Sequence, residues 1–204
     1  MIVLAIRVKS QGNIGNIKAS INTEEPKLVN TEDELSTLDF KFNEYYDPNK
    51  LKSFIKKVER MIRSSSAYSS YIGNLRNEKD LDRCAILGNI TDDDADIEFH
   101  HYPFSLYDIC RIVIMDKIIK EIPFTSFDIC IEVMNLHSMN LIGLVPLCVT
   151  EHQLVHDGVR FIPLYSAYGK INDFINKYSD SIDDELIEKY NELVKMTNKL
   201  KEQS

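Results

Sequence analysis

The sequence contains no run of eighteen apolar residues, so it predicts no membrane-spanning helix. Its first residues, 1–9, lack a basic n-region and a cleavage site, and we expect an ordinary strand there and no signal peptide. The four cysteines among 204 residues form no close pair, which favours a reducing cytoplasm over a disulfide framework. With 44% hydrophobic residues, the chain is long enough for one or two domains with a sizeable core.

Two common catalytic motifs are also missing, since there is no glycine-rich phosphate loop and no GxSxG elbow. Positive charge is scarce as well, and the formal net charge is −8. This balance argues against a protein that mainly grips nucleic acid, because phosphate contacts need cations. The exception is local: from Lys41 to Arg63 there are seven basic residues and three acidic ones.

This basic stretch predicts an amphipathic helix. Asp47 followed by Pro48 is typical of a helix start. An apolar stripe follows at helical spacing, made of Leu51, Phe54, Ile55, Val58 and Ile62. The candidate nucleic-acid-binding residues of this helix are Lys52, Lys56, Lys57, Arg60 and Arg63. The alternative is a helix face that is simply solvated.

The remaining pattern alternates short strands with helices, which predicts an α+β fold. We expect a hairpin at 2–8 and 16–21, a weak helix or loop at 64–80, strands at 97–102, 144–147 and 159–163, and helices starting at Ser105, at Thr125 or Ser126, and at Asp183. The expected apolar side of the second of these helices holds Phe127, Cys130, Ile131, Met134 and His137. His137 is therefore read as a core histidine.

Histidine is rare, yet four of the five histidines form two clusters. His152 and His156 are four residues apart, so on a helix they share a face and can hold one ion. Thr150 and Gln153 have capping-box spacing, which predicts a helix from Glu151, and Gly158 predicts its end.

The other cluster is the adjacent pair His100 and His101, within a predicted strand. Neighbouring strand residues point to opposite faces, so one imidazole can face a metal while the other faces a substrate. Glu98 shares the face of His100. This pattern predicts a metal site with a nearby general base.

The spelling Glu-hydrophobic-His-His, followed later by His-x3-His and a closing glycine, resembles the ββα-metal or HNH nuclease motif, closest to the colicin DNases. The longer segments His-His-Tyr-Pro-Phe and Leu-Val-Pro-Leu-Cys resemble HNH-like proteins of tailed bacteriophages. The resemblance covers roughly residues 81–165. It implies a ββα-metal core there with a helical insertion, an N-terminal β and helical region at 1–80, and a C-terminal helical tail at 166–204.

The resemblance also implies roles for single residues. His100, His152 and His156 would bind one divalent metal, with Zn²⁺ favoured and Mg²⁺, Mn²⁺ or Ni²⁺ as alternatives. His101 would be the general base, Glu98 would orient that base, a water or an arginine, and Asn140 is the candidate for the motif's asparagine.

The family's structural zinc is not expected here. Cys84 and Cys148 have Leu87 and Glu151 three positions later, where a CxxC knuckle needs a second cysteine. The aspartates at 92–94 are read as a solvated loop.

The leading hypothesis is a metal-dependent endonuclease acting on DNA in the cytoplasm, the host's if the chain is phage-encoded. One rival is a catalytically silent phage virion or host-takeover protein that binds a phage or host partner and keeps an HNH-like fold. Another rival is a metal-dependent hydrolase of a small phosphoester, for which the acidity would be no obstacle.

Overall fold

The computed structural model describes residues 47–203, so the hairpin expected at 2–8 and 16–21 lies outside the described residues. Within that range the α-helices are α1 (Pro48–Arg63), α2 (Ser66–Lys79), α3 (Leu106–Ile119), α4 (Ser126–Ser138), α5 (Val149–His156), α6 (Ile171–Lys177) and α7 (Asp184–Glu202). The strands are β1 (Ile97–His101) and β2 (Leu144–Cys148), and a short 3-10 turn lies at Leu164–Ser166. The predicted α+β class is confirmed.

Strands β1 and β2 pair antiparallel, and α5 follows β2 directly. Every residue of β2 is buried, as its apolar sequence Leu-Val-Pro-Leu-Cys requires. Opposite partners in the register include His100 with Val145 and His101 with Leu144. Helices α3 and α4 are inserted between the strands. The result is a strand–strand–helix unit in which β1 and α5 carry the two histidine clusters.

Helix α1 forms as its sequence predicts. The Asp47 carboxylate accepts hydrogen bonds from the backbone N–H groups of Asn49 (3.0 Å) and Lys50 (3.3 Å), and Pro48 is the first helical residue. The predicted stripe is buried through Phe54, Ile55, Val58 and Ile62, with Leu51 partly buried. These side chains join those of α3 and α4 in the larger of the two hydrophobic cores formed by residues 47–203.

The predicted apolar side of α4 is wrong in part. Phe127 and Ile131 are 54% and 60% exposed, whereas Ile129 and Val133 are fully buried. Both faces of this helix carry large apolar residues, so periodicity alone does not choose between them. The choice is made by α1 and α3, which pack on the face that carries Ile129 and Val133. Thr125 caps the helix through a reciprocal pair of hydrogen bonds with Asp128, as the expected start requires.

Helix α5 starts two residues earlier than predicted, and the expected capping box is absent. Its N-cap is Cys148, which makes no side-chain cap bond, while the Gln153 side chain donates to Asp157 at 2.9 Å. Strand β2 runs into the helix without a loop, so Thr150 already lies inside it. The predicted end is confirmed, since Gly158 follows the C-cap with a φ of +69°.

The structure corrects the expected strand at 159–163 and shows a helix within the segment 64–80, where a weak helix or loop was expected. Residues 159–163 form no strand, because Val159 and Arg160 donate their N–H groups to the Leu154 carbonyl and so turn the chain back over α5. Residues 66–79 form a full helix, capped by the Ser65 side chain.

The C-terminal helix α7 is confirmed, with Asp183 as N-cap and with Leu186 and Thr197 buried against the rest of the chain. The division of the chain at residues 80 and 165 stays a prediction, although side chains from Phe54 to Leu186 share one core. No helix in the range 47–203 has the length and apolar character needed to cross a bilayer.

Candidate metal centre

Strand β1 sends its two histidines to opposite sides. The imidazole of His100 meets α5, where its Nδ1 atom lies 3.0 Å from His152 Nε2. The imidazole of His101 meets α4, where its Nε2 atom lies 3.1 Å from His137 Nε2. The alternation expected from a strand therefore directs the two imidazoles to different partners.

Three of the predicted residues converge on one point. His156 Nε2 lies 3.0 Å from His152 Nε2, one helical turn away on α5. One ring nitrogen each from His100, His152 and His156 can be chosen so that all three lie within 4.8 Å of one another. We call this cluster the histidine triad. Among residues 47–203 it is the only group of three or more histidine, cysteine or acidic side chains close enough to share a metal ion.

Glu98 controls the proton on the central histidine of the triad. Its carboxylate lies 2.5 Å from His152 Nδ1, and an ionised carboxylate only accepts hydrogen bonds, so Nδ1 is the protonated nitrogen. A neutral His152 then carries its lone pair on Nε2, the atom that faces the other two histidines. Glu98 was expected to orient the base, a water or an arginine, and instead it orients a member of the triad.

His100 is held in its neutral form. Burial, followed by the neighbouring His152 and His156, lowers the pKa of His100 to about 4. A neutral imidazole offers a lone pair at ordinary pH, which is the form that binds metals.

The predicted role of His101 as a general base that faces a substrate does not fit its position. Only 6% of His101 is exposed, and its ring stacks on Tyr68. A cleft beside the triad reaches His101, but its Nε2 atom is already engaged with His137. Burial, and then His137, holds the pKa of His101 well below its usual range. A base must reach the proton it removes, and this imidazole faces the core.

His137 is a satisfied core histidine, as predicted. It is fully buried, and its Nδ1–H donates to the Val133 carbonyl at 2.8 Å. Its Nε2 atom is then the acceptor in a neutral ring, so His101 donates to it.

Asn140 lies apart from the triad. It ends the turn after α4 with a φ of +55°, and its carbonyl accepts from the Lys170 N–H. Its side chain lines a different cavity, of about 320 Å³, with α2 residues that include Tyr71 and Asn74. The structure thus gives Asn140 a place in the backbone turn and none beside the histidines.

A cleft of about 440 Å³ opens beside His100 and His156. It lies between the strand–strand–helix unit and α7, which contributes Lys189, and it is also lined by Arg160 and Asp108. The Arg160 guanidinium makes a two-bond ion pair with the buried Glu151, at 2.7 and 3.1 Å. Sequence reasoning missed Lys189, which reaches the cleft from a distant part of the chain. It also missed the ion pair, because Glu151 and Arg160 form no recognised motif.

The predicted cations of α1 lie on another part of the surface. Lys52, Lys56, Arg60 and Arg63 are exposed, while Lys57 is half-buried at the edge of the apolar face. They line no part of the cleft beside the triad.

The sequence model of the Bacteriophage G278-like virion protein family matches residues 1–204. The chain belongs to this family. No curated protein and no solved structure matches it. The expected phage origin is therefore supported, and the family description is that of a virion protein.

The cysteines in the described part of the chain belong to no group of side chains close enough to share a metal ion. All four are free thiols, and Cys84, Cys110 and Cys148 are buried. Burial raises the pKa of Cys110 and of Cys148, so these thiols stay protonated.

Proposed function

We propose that this virion protein binds one divalent transition-metal ion through His100, His152 and His156. The observation that carries the proposal is the convergence of three imidazole nitrogens from two elements, with ligand atoms within 4.8 Å of one another. The nitrogens of a tetrahedral zinc site with Zn–N bonds of about 2.0–2.1 Å lie about 3.3 Å apart. The two separations of 3.0 Å in the triad are close to that value.

The donor set favours a borderline metal. Three neutral imidazoles suit Zn²⁺ and Ni²⁺, with Mn²⁺ less well matched, whereas Mg²⁺ prefers oxygen ligands. Glu98 supports the same choice, because a carboxylate behind a metal-bound imidazole fixes the ring and strengthens it as a donor.

We propose a structural use for the ion, in a catalytically silent component of the virion. A bound ion would join β1 to α5 and so stabilise the unit that carries both. Two observations support this use: the chain belongs to a virion protein family, and His101, which the nuclease hypothesis needs as a base, is bonded to His137 in the core. Its partners would then be other virion or host proteins.

A second candidate is metal-dependent hydrolysis of DNA phosphodiesters, and the cleft favours it. Structural zinc sites use four protein ligands, whereas catalytic sites leave one position open. The triad supplies three ligands and borders a cleft of about 440 Å³. A bound ion would supply Lewis-acid chemistry there. Lys189 would attract the phosphate, and Glu98 would hold the triad in place.

The test of metal binding is elemental analysis of the untagged full chain, purified without chelator and then titrated with Zn²⁺. We expect one equivalent for the wild type and for Gln153→Ala, an exposed position on the same helix. We expect less than a tenth of that for His152→Ala. An equal zinc content in His152→Ala would contradict the proposal.

A plasmid-nicking assay on the metal-loaded protein then separates the two uses. No cleavage by a protein that holds one equivalent of metal supports the structural use. Cleavage that is lost in His152→Ala but kept in Gln153→Ala supports the hydrolase. A chromogenic phosphodiester tests the small-phosphoester alternative in the same samples.

A further inference from the structure

Helix α1 presents a cationic face that is separate from the histidine triad. At 100° per residue, Lys52, Lys56, Arg60 and Arg63 fall within an arc of about 80° on the helix. All four are exposed, and the opposite face is fixed in the core by Phe54, Ile55, Val58 and Ile62. The four charges are therefore carried by a rigid element, about 6 Å apart along most of the row. We call this set the basic row.

The basic row is poorly neutralised by the described part of the chain. Glu59 lies within the row and forms an ion pair with Arg63 at 3.0 Å. The side chains of Lys52, Lys56 and Arg60 make no ion pair or hydrogen bond with any residue from 47 to 203. The row also borders a shallow surface depression of about 500 Å³ lined by Lys56, Glu59, Arg60, Arg63 and Ser64.

Arg60 and Arg63 lie in the last turn of α1, where positive charge interacts favourably with the helix dipole. Lys52 and Lys56 lie before that turn and have no such role. The chain has more acidic than basic residues, with a net charge of −8, yet Glu59 is the only acidic residue of α1 on the face of the basic row. A concentration of unpaired positive charge on a rigid helix is typical of a polyanion-binding surface.

We propose that the basic row binds the phosphate backbone of nucleic acid, without reading its sequence. Two reasons favour nucleic acid as the ligand of the basic row. A row of cations requires a polyanion, and the family to which the chain belongs is one of virion proteins, which enclose nucleic acid. Lysine and arginine on one row reach consecutive phosphates, and such contacts position the protein without contacting base edges. This binding does not depend on the metal proposed for the triad.

The test is fluorescence anisotropy of labelled duplex DNA with the full chain in EDTA, across a range of salt concentrations. The variant carries Lys52→Gln, Lys56→Gln, Arg60→Gln and Arg63→Gln. We expect at least about tenfold weaker binding at low salt, equal for unrelated duplex sequences. The negative slope of log K against log salt should become shallower by about 0.9 for each lost phosphate contact.

The matched control carries the same change of charge elsewhere: Lys79→Gln, Lys170→Gln, Lys195→Gln and Lys199→Gln, all at exposed positions. We expect its affinity to stay within about threefold of the wild type. Thermal melts check that both variants fold, since exposed substitutions usually change stability by less than about 0.5 kcal/mol.

Three results would overturn the proposal. One is a wild-type chain that does not bind duplex DNA at 50 mM salt. Another is an equal loss in the control variant, which would mean that only total charge matters. The third is labelled poly-glutamate bound through the row as tightly as DNA, which would identify an acidic polypeptide as the partner.

Discussion

Single hydrogen bonds decide what the histidines of this protein can do. The Glu98 carboxylate places the proton of His152 on Nδ1, so the lone pair of Nε2 faces the other two members of the triad. The Val133 carbonyl does the same for His137, which leaves its Nε2 to accept from His101. Adjacent residues of β1 thus belong to two sites of different character, one at the edge of a cleft and one in the core.

We expect Glu98→Ala to weaken metal binding by about 10- to 100-fold, because His152 loses the group that orients its ring. Glu98→Gln should have a smaller effect, since its amide oxygen still accepts from Nδ1. Competition titration against a zinc-binding dye measures both. Glu78→Gln, an exposed substitution on α2, is the control. Unchanged affinity in Glu98→Ala would show that the carboxylate has no part in the site.

The buried His137 should make folding sensitive to acid. Burial lowers the pKa of His137 to about 4, against about 6.5 in the unfolded chain. The unfolded state therefore takes up a proton first, and stability falls as the pH drops from about 6.5 toward 4. We expect a loss on the order of 2 kcal/mol from this residue by pH 4.5.

Urea unfolding at several pH values measures this loss, with His137→Gln as the comparison. The variant should be less stable at pH 7, but its stability should fall less steeply between pH 6.5 and 4.5. Parallel curves for the two proteins would mean that His137 titrates normally in the folded state.

At the scale of elements, helix α4 shows how packing chooses between two apolar faces. We expect Ile129→Ala to destabilise the protein by about 2–5 kcal/mol, because Ile129 is fully buried and its loss leaves a cavity. Ile131→Ala, two residues along the same helix, should change stability by less than about 0.5 kcal/mol, because Ile131 is 60% exposed. Urea unfolding of the pair measures both changes. A large loss in Ile131→Ala would show that another surface covers that face.

At the scale of the whole molecule, we expect the proposed metal binding to be linked to folding. A ligand that binds only the folded state stabilises it by about 2.7 kcal/mol at a free concentration of 100 times its Kd. For a chain of this size we expect Zn²⁺ to raise the Tm by about 5–10 °C. Differential scanning fluorimetry measures the shift, and EDTA should reverse it. The Tm of His152→Ala should not respond, and an equal response would place the bound metal elsewhere.

The distribution of charge over the surface also belongs to the scale of the whole molecule. A total of −8 argues against a protein that mainly grips nucleic acid, yet the basic row of α1 lies on one face with a single carboxylate among its cations. The sum of charges was visible in the sequence, and so was the local excess. The packing of α1 decided which of the cations face solvent together. It left Lys57 half-buried at the edge of the apolar face.

The amino-acid sequence by itself determined the local features of this protein. The start of α1 at Asp47 and Pro48, its buried stripe, the shared face of His152 and His156, and the end of α5 at Gly158 all follow from spacing of a few residues. Such features depend on helix and strand periods and on the preferences of single residues, which any local window contains.

Only the tertiary structure decided which neighbours those residues meet. His101 meets His137 across 36 positions, Glu98 meets His152 across 54, and α4 buries Ile129 in place of Ile131. Periodicity says which residues share a face but not what covers that face. Long-range packing decides which element lies over a given apolar face. Elements that are distant in the chain can pack on the same surface, and the arrangement with the most complete packing of the core is the most stable.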